Sequence, residues 1–184
     1  MRHSLRGQEA QSQSLRQPLL CPQYVLGVDP GIGGALALLD FETKAVKAVF
    51  DMPVTDGKVD PAKLAGIIEM CKIQGSIRAA VELVSSMPRQ AGAFNFGVSA
   101  GVVHGVLGAL GLLFTLVPPS VWKNAMGLHR ILGETQADVK SRAREVATKL
   151  WPERVADFKR IKDDGRAEAC LIARYFANKT EGKI

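Results

Sequence analysis

Val25-Leu26-Gly27-Val28-Asp29, Pro30-Gly31-Ile32-Gly33-Gly34 and Ala35-Leu36-Ala37-Leu38-Leu39-Asp40 follow one another without a break, and this stretch decides the fold. The first piece, entered through Tyr24, is a short apolar run ending in an acid, which reads as a buried strand. The second is a Pro-Gly and Gly-Gly turn. The third is another apolar run, and Ala45 to Phe50 is one more. The connections are too short for crossovers, so these three strands are predicted to pair antiparallel.

Working outward, the pattern changes period. Pro61 opens a helical segment with Leu64, Ile67, Ile68 and Cys71 on one face. Asp60 supplies its N-cap, and Pro61 sits at the first helical position. Ala79-Ala80-Val81 is a short strand ending at Glu82. Ala93 to Leu110 is a glycine-rich helix, Leu112 to Val117 a further strand, and Asp138 to Leu150 a charged amphipathic helix stopped by Trp151-Pro152. Residues 153–164 read as a charged loop, and Arg166 to Asn178 as the last helix. Strands followed by alternating helices and strands predict an α/β fold, a mixed sheet covered by helices. One domain is expected over 24–178, with a disordered extension at 1–23 and a short tail at 179–184.

The whole chain has 184 residues, 47% of them hydrophobic and 23% charged. That composition excludes a disordered, collagenous or coiled-coil chain. Cys21, Cys71 and Cys170 are scattered without a CxxC pair, which argues against a zinc finger or disulfide framework and for a reducing compartment. The charge is uneven: residues 140–184 carry 12 basic and 7 acidic side chains, against 12 and 11 in residues 1–139. A basic C-terminal quarter suits a polyanion such as nucleic acid, although a merely solvated basic surface would look the same. No charged residue lies between Arg89 and Lys123. Asn95, Ser99, His104, Thr115 and many glycines interrupt that stretch, so it reads as a buried helix and strand, not a membrane span. The N-terminus lacks the apolar core of a secretory signal. Its Arg- and Ser-rich composition also suits an organellar transit peptide, though a short one.

The chemistry is carried by acids. Asp29 and Glu82 end separate strands, and in open α/β sheets that edge is where ligands sit. Turn chemistry accounts for Asp29 equally well, and a strand-end surface role for Glu82. Asp164 and Glu168, with spacing i and i+4, share one face if the last helix starts near Asp164. Acids in a first helical turn also complement the helix dipole, which explains Asp163 and Asp164 better than Glu168. Together, the set suggests a site for hard divalent cations, Mg²⁺ or Mn²⁺, of the kind that serves phosphodiester hydrolysis.

On these residues the chain resembles the RuvC-type Holliday-junction resolvases of the RNase H-like superfamily, most nearly the plastid resolvases of plants and their bacterial and phage relatives. The matching pieces are residues 25–40, VELVSSMPRQ at 81–90, FNFGVSAGVVHGVLGALG at 94–111, VPPSVWKNAMGL at 117–128 and KDDGRAEACLIARYF at 162–176. The resemblance implies an RNase H-like nuclease domain over 24–178, a mixed five-stranded sheet flanked by helices. It also implies a Mg²⁺-dependent endonuclease, with Mn²⁺ as a substitute, that resolves four-way DNA junctions by paired symmetric nicks. It places metal-binding acids at Asp29, Glu82, Asp164 and Glu168, with Asp163 a nearby alternate. The last pair departs from the classical bacterial spacing of two Asp three apart. A His stands at the position of Asp164 in some plant-type relatives, so Asp164 is read as a ligand, a base or a proton shuttle.

The resemblance also draws in Lys123, which by itself reads as a surface lysine held on a rigid loop by Pro118-Pro119; family members bring a Lys here to the scissile phosphate. Trp122 reads as core. Arg89, Gln90, Lys159, Arg160, Lys162 and Arg166 are expected to contact DNA, and Met87 the unpaired bases. Gly97, Gly101 and Gly105 form a stripe that calls for close packing, against either the chain's own sheet or a second subunit; the resemblance implies a homodimer through residues 94–110. A bacterial or phage-encoded cytoplasmic protein is expected, with an organelle as the alternative. The competing function is an RNase H-like nuclease for another branched DNA or an RNA–DNA hybrid. A phosphate-handling ATPase of the actin type is disfavoured by length, and a non-catalytic junction binder by the retained acids.

Overall fold

The structure is a computed structural model that describes residues 21–83, 93–129 and 131–184. Its strands are β1 (Tyr24–Asp29), β2 (Ala35–Asp40), β3 (Val46–Asp51), β4 (Val54–Thr55), β5 (Lys58–Val59), β6 (Ile77–Glu82) and β7 (Phe114–Val117). Its helices are α1 (Pro61–Lys72), α2 (Ala93–Ala109), α3 (Pro119–Ala125), α4 (Gln136–Leu150), α5 (Val155–Phe158) and α6 (Asp164–Thr180). The main sheet has five strands in the order β3-β2-β1-β6-β7. The β1-β2-β3 meander is antiparallel, while β1, β6 and β7 run parallel. This is the mixed five-stranded sheet expected from the sequence.

Alternation along the strands divides the core in two. Val25, Ala35, Ala37, Leu39 and Ala80 face one side and pack with α4 and α6. Leu26, Val28, Leu36, Leu38, Ala79 and Val81 face the other and pack under α1 and α2. The side-chain period of two then fixes both acids. Asp29 follows Val28, and Glu82 follows Val81, so both turn to the α6 side.

The cap of α1 forms as the sequence dictates: Asp60 accepts hydrogen bonds from the backbone of Ala62 and Lys63, with Pro61 at the start. Leu64, Ile68 and Cys71 are buried beneath it.

Several expectations need correction. Pro118-Pro119 opens α3, so Lys123 stands on a short helix instead of a loop. Residues 153–164 are not a plain loop but a run of short helical turns around α5, with Phe158 buried. Asp56 and Gly57 both have positive φ and join β4 to β5, a hairpin that the strand expectations above do not include. The last helix starts at Asp164 and runs to Thr180. Beyond it, Glu181 pairs with Lys44 at 2.8 Å. Before Tyr24, two residues are also tied to the fold. Pro22 is buried, and Gln23 bonds Ser76 through its backbone N–H and side-chain oxygen. The rest of the expected 1–23 extension, residues 1–20, lies outside the described residues.

Candidate active site

The acids meet because α6 crosses the sheet at the ends of β1 and β6. Gly27 faces α6, and a Cβ there would fall on the Ala169 carbonyl oxygen and on Ala173. At the next turn, Gly165 lies so close to Gly33 and Gly34 that a Cβ would sit 2.5 Å from the Gly33 oxygen. The turn after β1 therefore supports the first residues of α6. It also wraps its own acid: a Cβ on Gly34 would meet the Asp29 backbone, and the Gly31 N–H donates to Asp29 Oδ1 at 3.3 Å.

One cleft of about 380 Å³ is lined by Asp29, Glu82, Asp164 and Glu168, together with Gly31, Gly33, Gly34, Phe96, Lys140 and Lys162. Glu82 and Glu168 are each only 7% exposed. Burial, then Glu168, then Glu82 push Asp29 up to about 7. Burial and Glu168 also raise Glu82, opposed by Lys123 and by a hydrogen bond from Trp122. Lys123 Nζ sits 3.0 Å from Glu168 Oε1 and 4.0 Å from Glu82 Oε1. Lys140 pairs with Asp164 at 2.5 Å, and that bond raises the lysine. The site is thus rich in negative charge, with two lysines partly balancing it.

These oxygens suit a hard divalent cation. The upward shift of Asp29 comes first from burial and then from Glu168 and Glu82, and a cation at the site would oppose all three. As the side chains stand, no three acid, histidine or cysteine groups cage one point among the described residues. Lys123 and Lys140 instead make the ion pairs, and both belong to flexible side chains able to withdraw. The donor set therefore fits the ion.

The remaining expected residues separate. Asp163 is 1% exposed and is held by Arg160, whose hydrogen bonds lower it against the opposing effect of burial. It is absent from the cleft lining, so Asp164 is the member of that pair at the site. Arg166 turns to Asp51 in a two-pronged pair at 2.5 and 2.7 Å. Lys162 is exposed at the cleft. Beside it, Lys140, Arg144, Arg160 and Ile161 line an adjoining basic groove. Lys159 lies on a neighbouring depression with Ser141, Glu145 and Thr148. Arg89, Gln90 and Met87 lie outside the described residues.

Lys140, Arg144 and Phe96 are not singled out by the sequence. Two are ordinary charges on an amphipathic helix, and only the docking of α4 against α6 brings them to the acids. Trp122 is fully buried, as its apolar body predicts, yet its indole N–H donates to Glu82 Oε1 at 3.0 Å.

Searches by sequence find no match: no family model and no curated protein aligns with the chain. The fold does match solved structures. One is Thermus thermophilus RuvC in complex with a Holliday junction substrate, at TM-score 0.60 and 16% identity, covering 86% of this chain and 96% of that one. Another is a Thermus thermophilus RuvC structure, at TM-score 0.53 and 18% identity, covering 85% and 96%. The chain therefore has the RuvC, RNase H-like fold over nearly the whole of those chains.

Proposed function

We propose that this chain is a divalent-metal-dependent endonuclease that resolves four-way DNA junctions. The observation that carries the reading is the convergence of Asp29, Glu82, Asp164 and Glu168 in one cleft, under Lys123, Lys140 and Lys162. A fold shared with a junction-bound RuvC supports the choice of substrate.

Asp29, Glu82 and Glu168 would hold Mg²⁺ or Mn²⁺, with Asp164 as a further ligand or as the group that orients the attacking water. A metal held by these acids would supply activation of a water and charge for the leaving oxygen. Lys123 reaches the cleft wall from α3 and supplies positive charge where a phosphate would lie. Lys140 restrains Asp164. Lys162 and the groove of Arg144 and Arg160 give a cationic track for the backbone of an approaching strand. Arg166 supports this rim indirectly, through Asp51 and the Asp163 network.

Two symmetric nicks call for two sites, and α2 offers a face for a second copy. A Cβ added at Gly97, Gly101, Gly105 or Gly108 would meet nothing within 4 Å, so these glycines do not pack on the chain's own sheet. Phe94 and Val98 are exposed beside them. Each helical glycine costs about 1 kcal/mol relative to alanine, which a closely packed twofold partner would offset.

The test is incubation with labelled junctions, duplexes, flaps and RNA–DNA hybrids in Mg²⁺, with products sized on a denaturing gel. Paired nicks in the junction are expected, and none without metal. Preference for flaps or hybrids would assign the alternative nuclease activity, and no cleavage of any substrate would overturn the reading.

A further inference from the structure

Trp122 has two polar engagements in an otherwise apolar setting. Its indole N–H donates to Glu82 Oε1 at 3.0 Å, and its ring lies 5.0 Å from Lys123 Nζ. The side chain is completely buried. Its position follows from the chain path. Val117 at the end of β7 pairs in register with Glu82, and Pro118-Pro119 starts α3 at once. One turn of helix then carries Trp122 back against the acid. Burial alone asks only for an apolar side chain here, which would bring no N–H to satisfy.

We infer that Trp122 is a positioning residue, which fixes the Glu82 carboxylate by its indole hydrogen bond so that the other oxygen is presented to a divalent cation. The inference rests on the metal-dependent reading above. Oε1 takes the indole bond, and Oε2 has no hydrogen-bond partner among the described residues. A carboxylate free to rotate loses that freedom when it binds an ion; one already held at a single oxygen loses less. Groups that orient a metal ligand in this way commonly change metal affinity by about 10–100-fold. The ring adds a second effect, since its face restrains Lys123 beside the same carboxylate.

The chain has two tryptophans, which makes the test specific. Trp151 donates its indole N–H to the Lys44 carbonyl at 2.8 Å and serves as an internal reference. In the full-length ¹⁵N-labelled protein, Mg²⁺ titration should shift the Trp122 indole signal and leave that of Trp151 in place. Glu82→Gln should displace the Trp122 signal before any metal is added. Trp122→Phe keeps an aromatic ring beside Lys123 and removes the N–H, along with part of the indole's buried bulk. By calorimetry without DNA, it should bind Mn²⁺ about tenfold or more weakly. In cleavage, it should need correspondingly more metal, with a rate at saturating metal within about threefold of the parent.

If the parent binds Mg²⁺ in an Asp29-dependent manner while the Trp122 signal stays still, the inference is overturned and the metal site stands. Equal Mn²⁺ affinity in a folded Trp122→Phe protein has the same consequence. If the parent binds no metal, both fall. Should Trp122→Phe fail to fold, the indole titration of the unaltered protein decides alone.

Discussion

Gly27 and Ala169 meet backbone to backbone: a Cβ on Gly27 would overlap the Ala169 carbonyl oxygen. This approach sets how deeply α6 lies over β1. Asp29 is two residues beyond Gly27, and Glu168 immediately precedes Ala169, so the same contact sets the spacing of the two acids. Gly27→Ala is expected to lower the melting temperature and to reduce cleavage by more than the lost folded fraction explains. Cleavage normalised to folded protein, measured by circular dichroism, is the check; full normalised activity would show that α6 can move without cost to the site.

Asp29→Asn keeps the shape of the side chain and removes its charge. Junction cleavage in Mg²⁺ should fall by at least about 10³-fold, while junction binding by gel shift stays near normal, since phosphate contacts dominate affinity. Stability should move the other way. The carboxyl titrates near 7 in the folded chain, against 3.8 as its ordinary value. Between those values the native state holds the extra proton, so wild-type stability declines as pH rises through that window. In EDTA at pH 8, the Asn protein should therefore melt a few degrees higher, and near pH 4 the gain should vanish.

Asp29 must shed its proton to hold a cation. At subsaturating Mg²⁺, cleavage should climb about tenfold per pH unit below about 7 and flatten above it. Once Mg²⁺ exceeds its dissociation constant, each further tenfold increase should move the midpoint about one unit lower. A midpoint indifferent to metal concentration would assign the titration to another group.

Lys123 lies 3.0 Å from Glu168 and 4.0 Å from Glu82, two of the acids that line the cleft. Lys123→Ala should lower the cleavage rate by about 10²-fold and junction affinity by less than about threefold, because a cation meeting developing charge acts mainly in the transition state. Equal losses in single-turnover and binding assays would make it a simple phosphate contact.

Gly101→Leu places a bulky side chain on the glycine face of α2, where the chain's own fold has room for it. Sedimentation should show monomers with an unchanged melting temperature, and paired nicking should fall to single, uncoordinated nicks. A dimeric Gly101→Leu protein would place the twofold contact elsewhere.

Much of the frame is legible locally. The Asp60-Pro61 cap, the apolar run from Tyr24 to Val28 that closes at Asp29 and the stop at Trp151-Pro152 are properties of neighbouring residues. The two strand-end acids are visible because a carboxylate closing an apolar run is conspicuous. What stays hidden depends on contacts between distant segments. Arg160 and Arg166 look like free cations in sequence, yet Asp163 and Asp51 engage them. Lys140 looks like any exposed helix charge until α4 docks beside Asp164. The Asp56-Gly57 hairpin is a local signal, although its strands of two residues are too short to show an alternating pattern. Trp122 shows the limit most sharply: its apolar body predicts burial, but nothing near it in sequence says which acceptor its one N–H will find.

The acids come from segments far apart in sequence, Asp29 and Glu82 on β1 and β6 and, much later, Asp164 and Glu168 on α6. During synthesis, the sheet edge with its first two carboxylates emerges well ahead of the helix that faces it. A ribosome-bound chain ending before Asp164 owns half a cleft and lacks the α6 wall that buries Ala35, Ala37 and Ala80. Any chemistry that needs all four acids is thereby withheld until α6 has emerged, and a product terminated before Asp164 lacks two of the four.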